Sequence, residues 1–402
     1  MSDVVDAEAA IAEAQAWLQA HPVEPEGDRD AWLAELVDSG WAAPSWPVEE
    51  YGRGLPPKVA RATDQVFRSA KVGGWGQDVT NLWAATIIAW AQPELKQQVL
   101  RPLLLGEIDM CLLYSEPGAG SDLASVRTSA ERDGDEWIVN GQKVWTSGGR
   151  QADYAFLITR TDSSQAKHRG ITFFFMPMDQ PGVEVRPLRQ ATGDARFNEV
   201  FLTDARVSNA NMLGGYNSGW HVLTSALAYE RSAMGVSRPR KTTDAEDAVR
   251  DSTSEASAPI PDLSLVELAV KRGVSDDPSI RQDLMRLYAW RTLNGWNNQR
   301  AKQELAKGTS SPVVSLGKLA MSRMLHFAGS LQGRILGSEA MLGGEPYPEA
   351  ADATYAMLNA FFTSIGGGTD QIQRNIIGER ILGLPKEPEV DKGVPFSEVR
   401  VS

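Results

Sequence analysis

The stretch WIVNGQKVW, residues 137–145, marks the point where the chain changes from helical to alternating periodicity. Apolar and polar side chains alternate on both sides of Asn140-Gly141, and an Asn-Gly pair in that setting is a strong signal of a β-hairpin. We therefore predict two extended arms that meet at an Asn-Gly turn. β-Branched and aromatic residues predict further strands at 154–159, 171–176, 183–188 and 199–202.

Helical periodicity flanks these strands on both sides. Before them it covers residues 7–20, 30–39, 57–69, 82–91 and 93–105, and after them 219–235, 263–271, 279–307, 315–336 and 351–362. The spacing of the strands favours an antiparallel meander or barrel over βαβ units. The predicted class is α+β, with an N-terminal α-helical domain (1–109), a central antiparallel β domain (110–214) and a C-terminal α-helical domain (215–386). We expect a mobile insertion at about 238–262 and an extended tail at 387–402.

Composition excludes several classes of protein. Lys plus Arg is 40 and Asp plus Glu is 52 in 402 residues, and this net charge of −12 argues against general binding of nucleic acid or anionic lipid. Cys111 is the single cysteine, so no intrachain disulfide can form. The four histidines are scattered without metal-ligand spacing, and no metal site is expected. The longest strongly apolar run, 82–91, is about half of a membrane span, so we expect a soluble, cytoplasmic protein.

The loop YSEPGAGSD, residues 114–122, carries the first candidate site. Its small residues, backbone N–H groups and the hydroxyls of Ser115 and Ser121 suit a phosphate or the edge of a flavin ring. Taken alone, a Pro-Gly turn is the simpler interpretation, because the loop departs from the dinucleotide-binding fingerprint and no βαβ unit surrounds it.

Three blocks in a fixed order make the pattern specific. Residues 114–122, followed by VNGQKVWTS at 139–147, closely resemble the flavin-binding signature of the acyl-CoA dehydrogenases, and GGGTDQIQRN at 366–375 resembles their carboxy-terminal signature. The resemblance covers nearly the whole chain and implies that family's fold. It also implies FAD-dependent α,β-dehydrogenation of an acyl-CoA thioester, in which flavin N5 takes the β-hydride and an electron-transferring flavoprotein accepts the electrons. The implied cofactor-binding residues are Tyr114, Ser115, Ser121, Trp145, Thr146, Ser147, Arg272, Thr369 and Gln371. The implied substrate-binding residues are Ser121, Arg231 and Gly368.

The candidate base is Glu230, which projects from the apolar half of the helix predicted at 219–235. A lone carboxylate there is costly to bury, so it is expected to be partnered, protonated or functional. The residues alone leave a structural ion pair equally open. The resemblance favours catalysis, because some members carry the base in the carboxy-terminal signature, where this chain has Gly367, and others at a Glu-Arg pair that matches Glu230-Arg231. Gly367 keeps a backbone N–H for the thioester carbonyl, and its missing side chain suggests a bulky, branched or steroid-derived acyl group.

The chain departs from the family at the adenine half of the cofactor. Arg272 is followed by Gly273-Val274-Ser275 where the family usually has a phenylalanine, and Ala340 stands where a glutamine is usual. This combination resembles bacterial relatives built from two unlike subunits, so a heteromer and a homotetramer both stay open. Two other functions also stay open: a flavin-sharing, non-catalytic subunit, and an enzyme of the same fold that uses oxygen.

Overall fold

The computed structural model describes residues 7–22, 28–70, 82–233, 262–306, 313–344, 346–389 and 391–399. The predicted insertion at 238–262 lies outside these residues, apart from its last position. In the described part, no helix is both long enough and apolar enough to cross a membrane.

Eleven α-helices are found in the described residues, and most follow the predicted periodicity. They are α1 Ala7–Ala20, α2 Arg29–Asp38, α3 Pro57–Ser69, α4 Trp83–Trp90, α5 Pro93–Leu105, α6 Gly219–Ala233, α7 Asp262–Lys271, α8 Pro278–Ala306, α9 Val313–Leu336, α10 Pro348–Ile365 and α11 Asp370–Ile376. Proline at the start and glycine at the end determine several of the helix boundaries. Pro57 and Pro93 occupy first-turn positions, and α5 ends at Gly106 with φ of 74°.

Eight strands form one sheet. They are β1 Met110–Leu113, β2 Ser129–Asp133, β3 Glu136–Ser147, β4 Tyr154–Arg160, β5 Ile171–Pro177, β6 Val183–Leu188, β7 Phe197–Ser208 and β8 Met212–Leu213. The strand order is β6-β7-β3-β2-β4-β5-β8, and β1 pairs in parallel with β4. The predicted antiparallel pattern therefore holds for most pairs. The barrel alternative does not, because the pairing in the described residues runs as an open path from β6 to β8.

Strands β4 and β5 are buried on both faces. They therefore separate two apolar clusters, one on each side of the sheet. Phe156, Phe173 and Phe175 belong to the cluster that packs against α4, α5 and α6. The alternate residues Leu157 and Phe174 belong to a second cluster with β3 and β7. Such near-continuous apolar runs are expected of strands covered on both sides.

The predicted hairpin at Asn140-Gly141 is wrong. Residues 136–147 form one continuous strand. The hairpin lies before it and joins β2 to β3, where Asp133 pairs with Glu136 around Gly134 at φ of 64°. Asn140 is instead used across the sheet, since its side chain donates to Asp204 at 3.0 Å and accepts from the Asp204 N–H at 2.9 Å. Gly141 occupies a register shift against β7, where a Cβ would lie 2.4 Å from Thr128 Oγ1.

The described residues group into two compact units. The first contains α1–α6, all eight strands and the C-terminal segment from Asp391, and the second contains α7–α11 with the loop Arg189–Asp194. The predicted site residues divide between them: the two flavin-signature blocks and α6 belong to the first unit, and Arg272 and the carboxy-terminal signature to the second. The predicted three-domain boundaries stay a prediction.

Candidate functional site

The loop after β1 forms a tight turn with open space above it. Glu116 and Ala119 exchange two backbone hydrogen bonds of 3.0 Å, which close the turn around Pro117-Gly118. A Cβ on either Gly118 or Gly120 would meet no atom within 4 Å. The turn therefore presents backbone and the exposed Ser121 to a space that could accept a ligand.

Trp145 stands beside this loop in an unusual conformation. Its φ is +63°, a left-handed value that bulky side chains rarely adopt, and its side chain is 57 % exposed. It lies at the second register shift of β3, between Lys143 and Thr146. Its ring lies nearly perpendicular to that of Phe197, with centroids 5.8 Å apart. Strain of this kind concentrates at functional sites, and the exposed indole offers a flat face to a planar ligand.

Hydrogen bonds between β3 and the preceding loop bring the expected flavin residues of the first unit together. Val144 donates its N–H to the Ser115 carbonyl at 2.9 Å, which sets Ser115 next to Trp145. Thr146 is fully buried and its hydroxyl donates to the Leu112 carbonyl at 3.1 Å. Ser147 is exposed. The geometry therefore favours Ser147 over Thr146 as the hydroxyl that a ligand on Trp145 could reach.

A buried ion pair between Lys143 and Glu116 holds the loop of residues 114–122 against β3. This pair was not predicted from the sequence. Lys143 Nζ is fully buried and donates to Glu116 Oε1 at 2.8 Å and to the Tyr114 carbonyl at 3.1 Å. Glu116 also accepts from the N–H groups of Arg127 and Thr128 at 2.7 and 2.9 Å. Burial acts to raise the pKa of Glu116, but the charge and hydrogen bond of Lys143 outweigh it and lower that pKa below its usual value. The available sequence signal is that strand alternation places Lys143 on the same face as the apolar Trp137 and Val139.

The helix that carries Glu230 buries the predicted face. Val222, Leu223 and Ala226 are fully buried, while His221 and Thr224 on the opposite side are exposed. Glu230 and Arg231 lie in α6, and their side chains fall outside the described part of the chain. At 100° per residue, position 230 continues the row of Leu223 and Ala226.

The carboxy-terminal signature forms the turn between α10 and α11. Gly367 and Gly368 are exposed and have φ of 64° and 87°, a left-handed region that glycine adopts without strain. The Thr369 hydroxyl accepts from the Ile372 N–H at 3.2 Å and caps α11. Gln371 is exposed beside it.

Arg272, the residue expected at the adenine half of the cofactor, is already held by carboxylates of its own chain. Its two terminal nitrogens each donate to Glu339 at 2.6 Å, and one also donates to Glu349. The hydrogen bond that Arg272 donates to Glu339 is the main reason that the pKa of Arg272 is raised. A phosphate would have to displace two carboxylates to reach this guanidinium.

The residues present therefore fit one end of FAD better than the other. The open glycine turn, the exposed Trp145 and the Ser147 hydroxyl suit an isoalloxazine ring. The Arg272 cluster does not offer an uncompensated positive charge to the phosphates. The second unit also contains a cavity of about 650 Å³ between α8, α9 and α11, whose polar lining includes Asn294, His326 and Asp370.

Two family models match the chain. The acyl-CoA dehydrogenase middle domain covers residues 111–205, and the acyl-CoA dehydrogenase C-terminal domain covers residues 217–382. These matches include the glycine turn, Trp145, Glu230 and the carboxy-terminal signature.

Whole-chain comparisons agree with the models. Acyl-CoA dehydrogenase IpdE1 of Mycobacterium tuberculosis is 36% identical over 373 residues, which is 90% of this chain and 89% of the relative. A structure described as the steroid ACAD Tcur3481-Tcur3483 superposes with a TM-score of 0.69 at 25% identity, over 95% of this chain and 98% of that one. The ChsE4-ChsE5 complex of Mycobacterium tuberculosis gives a TM-score of 0.66 at 27% identity, over 96% and 100%. By sequence and by fold, the chain belongs to the acyl-CoA dehydrogenase family, a family of oxidoreductases.

Proposed function

We propose that this chain is an FAD-dependent dehydrogenase that introduces an α,β double bond into a bulky acyl-CoA thioester, with Glu230 as the base. The observation that carries the proposal is the pairing of an open glycine turn with an exposed, strained Trp145 on an adjoining strand. Bound FAD would supply the two-electron acceptor. Ser115, Ser121, Trp145 and Ser147 would hold its ring end, supported by the buried neighbours Tyr114 and Thr146. Thr369 and Gln371 are assigned to its other half.

Glu230 would take the proton from the carbon next to the thioester. Burial of the preceding face of α6, at Leu223 and Ala226, supports an apolar setting at this position. Because an apolar, water-poor setting disfavours the charged form of a carboxylate, it raises the pKa toward the value that a general base needs. The backbone N–H of Gly367 is proposed to donate to the thioester carbonyl and to stabilise the negative charge that develops there.

A bulky acyl group is supported by two observations. Gly367 and Gly368 are exposed and leave no side chain at the turn where other family members carry a glutamate. The solved structures of similar fold include one described as a steroid ACAD. We therefore place steroid-derived and branched thioesters ahead of short straight chains.

The decisive experiment measures bleaching of flavin absorbance after purified protein, with its partner subunit and FAD, is mixed with a panel of CoA thioesters. Glu230→Gln is expected to slow bleaching about 10²–10⁴-fold, the usual contribution of a positioned base. Glu267→Gln, which changes an exposed carboxylate on α7, is the matched control and should bleach at the wild-type rate. Equal rates for Glu230→Gln and wild type would refute Glu230 as the base.

A second function is favoured by the Arg272 cluster. Since Glu339 and Glu349 occupy this guanidinium, the chain can share a flavin site with an unlike subunit instead of completing its own. The ChsE4-ChsE5 structure is a complex of two chains, which supports a heteromer here. Flavin titration of the assembled complex separates the cases: about one FAD per two chains, with turnover insensitive to Glu230→Gln, would identify a non-catalytic subunit.

A further inference from the structure

The C-terminal segment, defined here as residues 391–399, is docked on the first unit. The Phe396 N–H donates to the Gln165 carbonyl and the Ser397 N–H to the Ser163 carbonyl, both at 2.9 Å. The Phe396 side chain is 4 % exposed. Two backbone hydrogen bonds and a buried aromatic ring make this segment part of the packed structure, although the sequence predicts only an extended tail.

The ring of Phe396 supports a buried arginine. The Arg160 guanidinium lies 3.8 Å from the ring centroid, and the residue is 4 % exposed. Arg160 donates to the Ala124 carbonyl at 2.6 Å and to the Lys167 carbonyl at 2.7 Å. Neither carbonyl carries a formal charge, and the π face of Phe396 adds to the favourable charges of Glu116 and Asp162 near this desolvated cation. Phe396 therefore packs on the side chain that binds the Ala124 carbonyl.

A second connection reaches the same loop. Lys167 Nζ donates to Asp391 in the segment at 3.0 Å and to Asp122 at 2.6 Å. Asp122 also accepts from the Ser125 hydroxyl at 2.6 Å. The Lys167 side chain is 17 % exposed, and burial acts to lower its pKa, but the hydrogen bonds to Asp122 and Asp391 outweigh this effect and raise that pKa.

Both connections end at residues 122–125, directly after Ser121 and the open glycines. We propose that the C-terminal segment is a positioning element for the loop of residues 121–125, with Phe396 and Asp391 acting through Arg160 and Lys167. Phe396 and Asp391 are positioning residues, because each acts through another side chain. The consequence for catalysis, that the segment sets the affinity for the acyl-CoA contacted by Ser121, rests on the function proposed above.

Hydrogen exchange of the full chain tests the structural part. Phe396→Leu keeps an apolar side chain but removes the ring face, and it is expected to speed amide exchange in residues 121–127 about tenfold. Phe396→Tyr keeps the ring and should restore slow exchange. Phe67→Leu is the matched control, because Phe67 is equally buried in the first unit among α1–α3 residues, away from the loop. It should lower overall stability without changing exchange at 121–127.

Asp391→Asn is a second variant that removes one carboxylate from a partly exposed site and leaves the core intact. It should also speed exchange at 121–127, while Lys392→Gln, at an exposed neighbouring position, should not. Wild-type exchange at 121–127 in both Phe396→Leu and Asp391→Asn would overturn the proposal.

Steady-state kinetics test the catalytic part. Phe396→Leu should raise KM for the acyl-CoA thioester about tenfold with kcat within about twofold, the pattern of lost uniform binding. Faster exchange without a change in KM would refute the link to substrate. If wild-type protein turns over no thioester, the proposed function fails, and the exchange result still decides whether the segment positions the loop.

Discussion

Trp145 combines a strained backbone with an exposed aromatic side chain at the proposed flavin site. A left-handed backbone costs an L-residue about 1–2 kcal/mol, and a tryptophan gains nothing from local side-chain hydrogen bonding that would offset this cost. The other described non-glycine residues at positive φ are Tyr51, Asp204 and Asn217, and the short polar side chains of the last two tolerate it. The strain at Trp145 turns an indole out of the sheet toward solvent, next to Ser115.

Replacing Trp145 should therefore separate stability from cofactor binding. Trp145→Gly is expected to leave the free energy of unfolding of the apoprotein unchanged or raise it by about 1 kcal/mol, because glycine adopts positive φ without strain. The same variant should weaken FAD binding about tenfold through loss of the aromatic face. Trp145→Phe keeps a ring and serves as the control. Urea unfolding and FAD fluorescence quenching measure the two quantities, and a strong loss of stability in Trp145→Gly would contradict the assignment of strain.

Cys111 gives a second residue-scale prediction. The thiol lies in β1 within the sheet core, and burial raises its pKa to about 12. Since the thiolate is the reactive form, a thiol reagent at pH 8 should find no accessible thiol in the folded chain. The one thiol of the sequence should react only after unfolding in urea. Rapid reaction of the native protein would show that the β1 core opens readily.

At the scale of elements, the helices were predictable because their ends carry local signals. The bounds of α1, α3 and α5 match the prediction at both ends, since proline, glycine and polar residues mark them within a few positions of sequence. Strands β1 and β2 were missed for opposite reasons. β1 is a four-residue apolar run that follows a helix, and three of the five residues of β2 are exposed and charged. Neither pattern separates a strand from its surroundings.

The misplaced hairpin gives a test with a built-in comparison. Gly141→Ala would put a Cβ 2.4 Å from Thr128 and is expected to cost about 2–3 kcal/mol, because both strands must shift. Gly134→Ala has open space but a φ of 64°, so it should cost only about 1 kcal/mol of left-handed strain. Urea unfolding of both variants decides the point. If Gly134→Ala lowers the free energy of unfolding more than Gly141→Ala does, then the turn at Gly134 matters more for stability than the close approach of Gly141 to Thr128.

The buried pair that joins β3 to the glycine turn has a defined pH dependence. Because the pKa of Glu116 is lowered in the folded chain, its stabilisation is complete above the ordinary glutamate pKa of 4.5 and is lost as the pH falls through the folded value. Lys143→Met should cost about 3–5 kcal/mol at pH 7, since it leaves a buried carboxylate without its cation. Unfolding free energies measured from pH 7 downward test both statements.

The double variant Lys143→Met/Glu116→Gln supplies the control for this pair. It should lose less stability than Lys143→Met alone and should lack the acid-dependent component, because no charge stays buried. A double variant as unstable as the single one would show that the amide cannot replace the carboxylate at the N–H groups of Arg127 and Thr128.

Local motifs and long-range contacts differ in how well the sequence predicts the candidate site. Trp145, Ser115 and the glycine turn could be predicted as site residues, because they lie in two short sequence motifs at residues 114–122 and 139–147. Glu116, Arg160 and Phe396 act through contacts between segments 27 to 236 residues apart, such as Lys143 with Glu116 and Arg160 with Phe396. Hydrophobic periodicity is a local pattern and does not indicate which distant residues pair, so these contacts are identified only from the structure.

At the scale of the whole molecule, the helices of the second unit expose two apolar stripes. Met285, Tyr288, Leu293 and Trp296 lie on one face of α8, and Leu358, Phe361 and Ile365 follow the i, i+3, i+7 spacing on α10. Single exposed apolar residues are common on protein surfaces, but contiguous rows of large ones are typical of contact surfaces. We expect both stripes to be covered by other subunits of the assembly.

Charged substitutions in the stripes test this expectation. Trp296→Glu and Phe361→Glu should weaken assembly at least about tenfold, because each would place a desolvated carboxylate in an apolar contact. Light scattering after size-exclusion chromatography, on the chain alone and co-expressed with an unlike acyl-CoA dehydrogenase subunit, measures the mass at micromolar concentration. Gln19→Glu, an exposed position on α1, adds the same charge and should leave the mass unchanged. If the stripe variants keep the wild-type mass, these faces are not subunit interfaces; if only the co-expressed assembly shrinks, the stripes bind the unlike subunit.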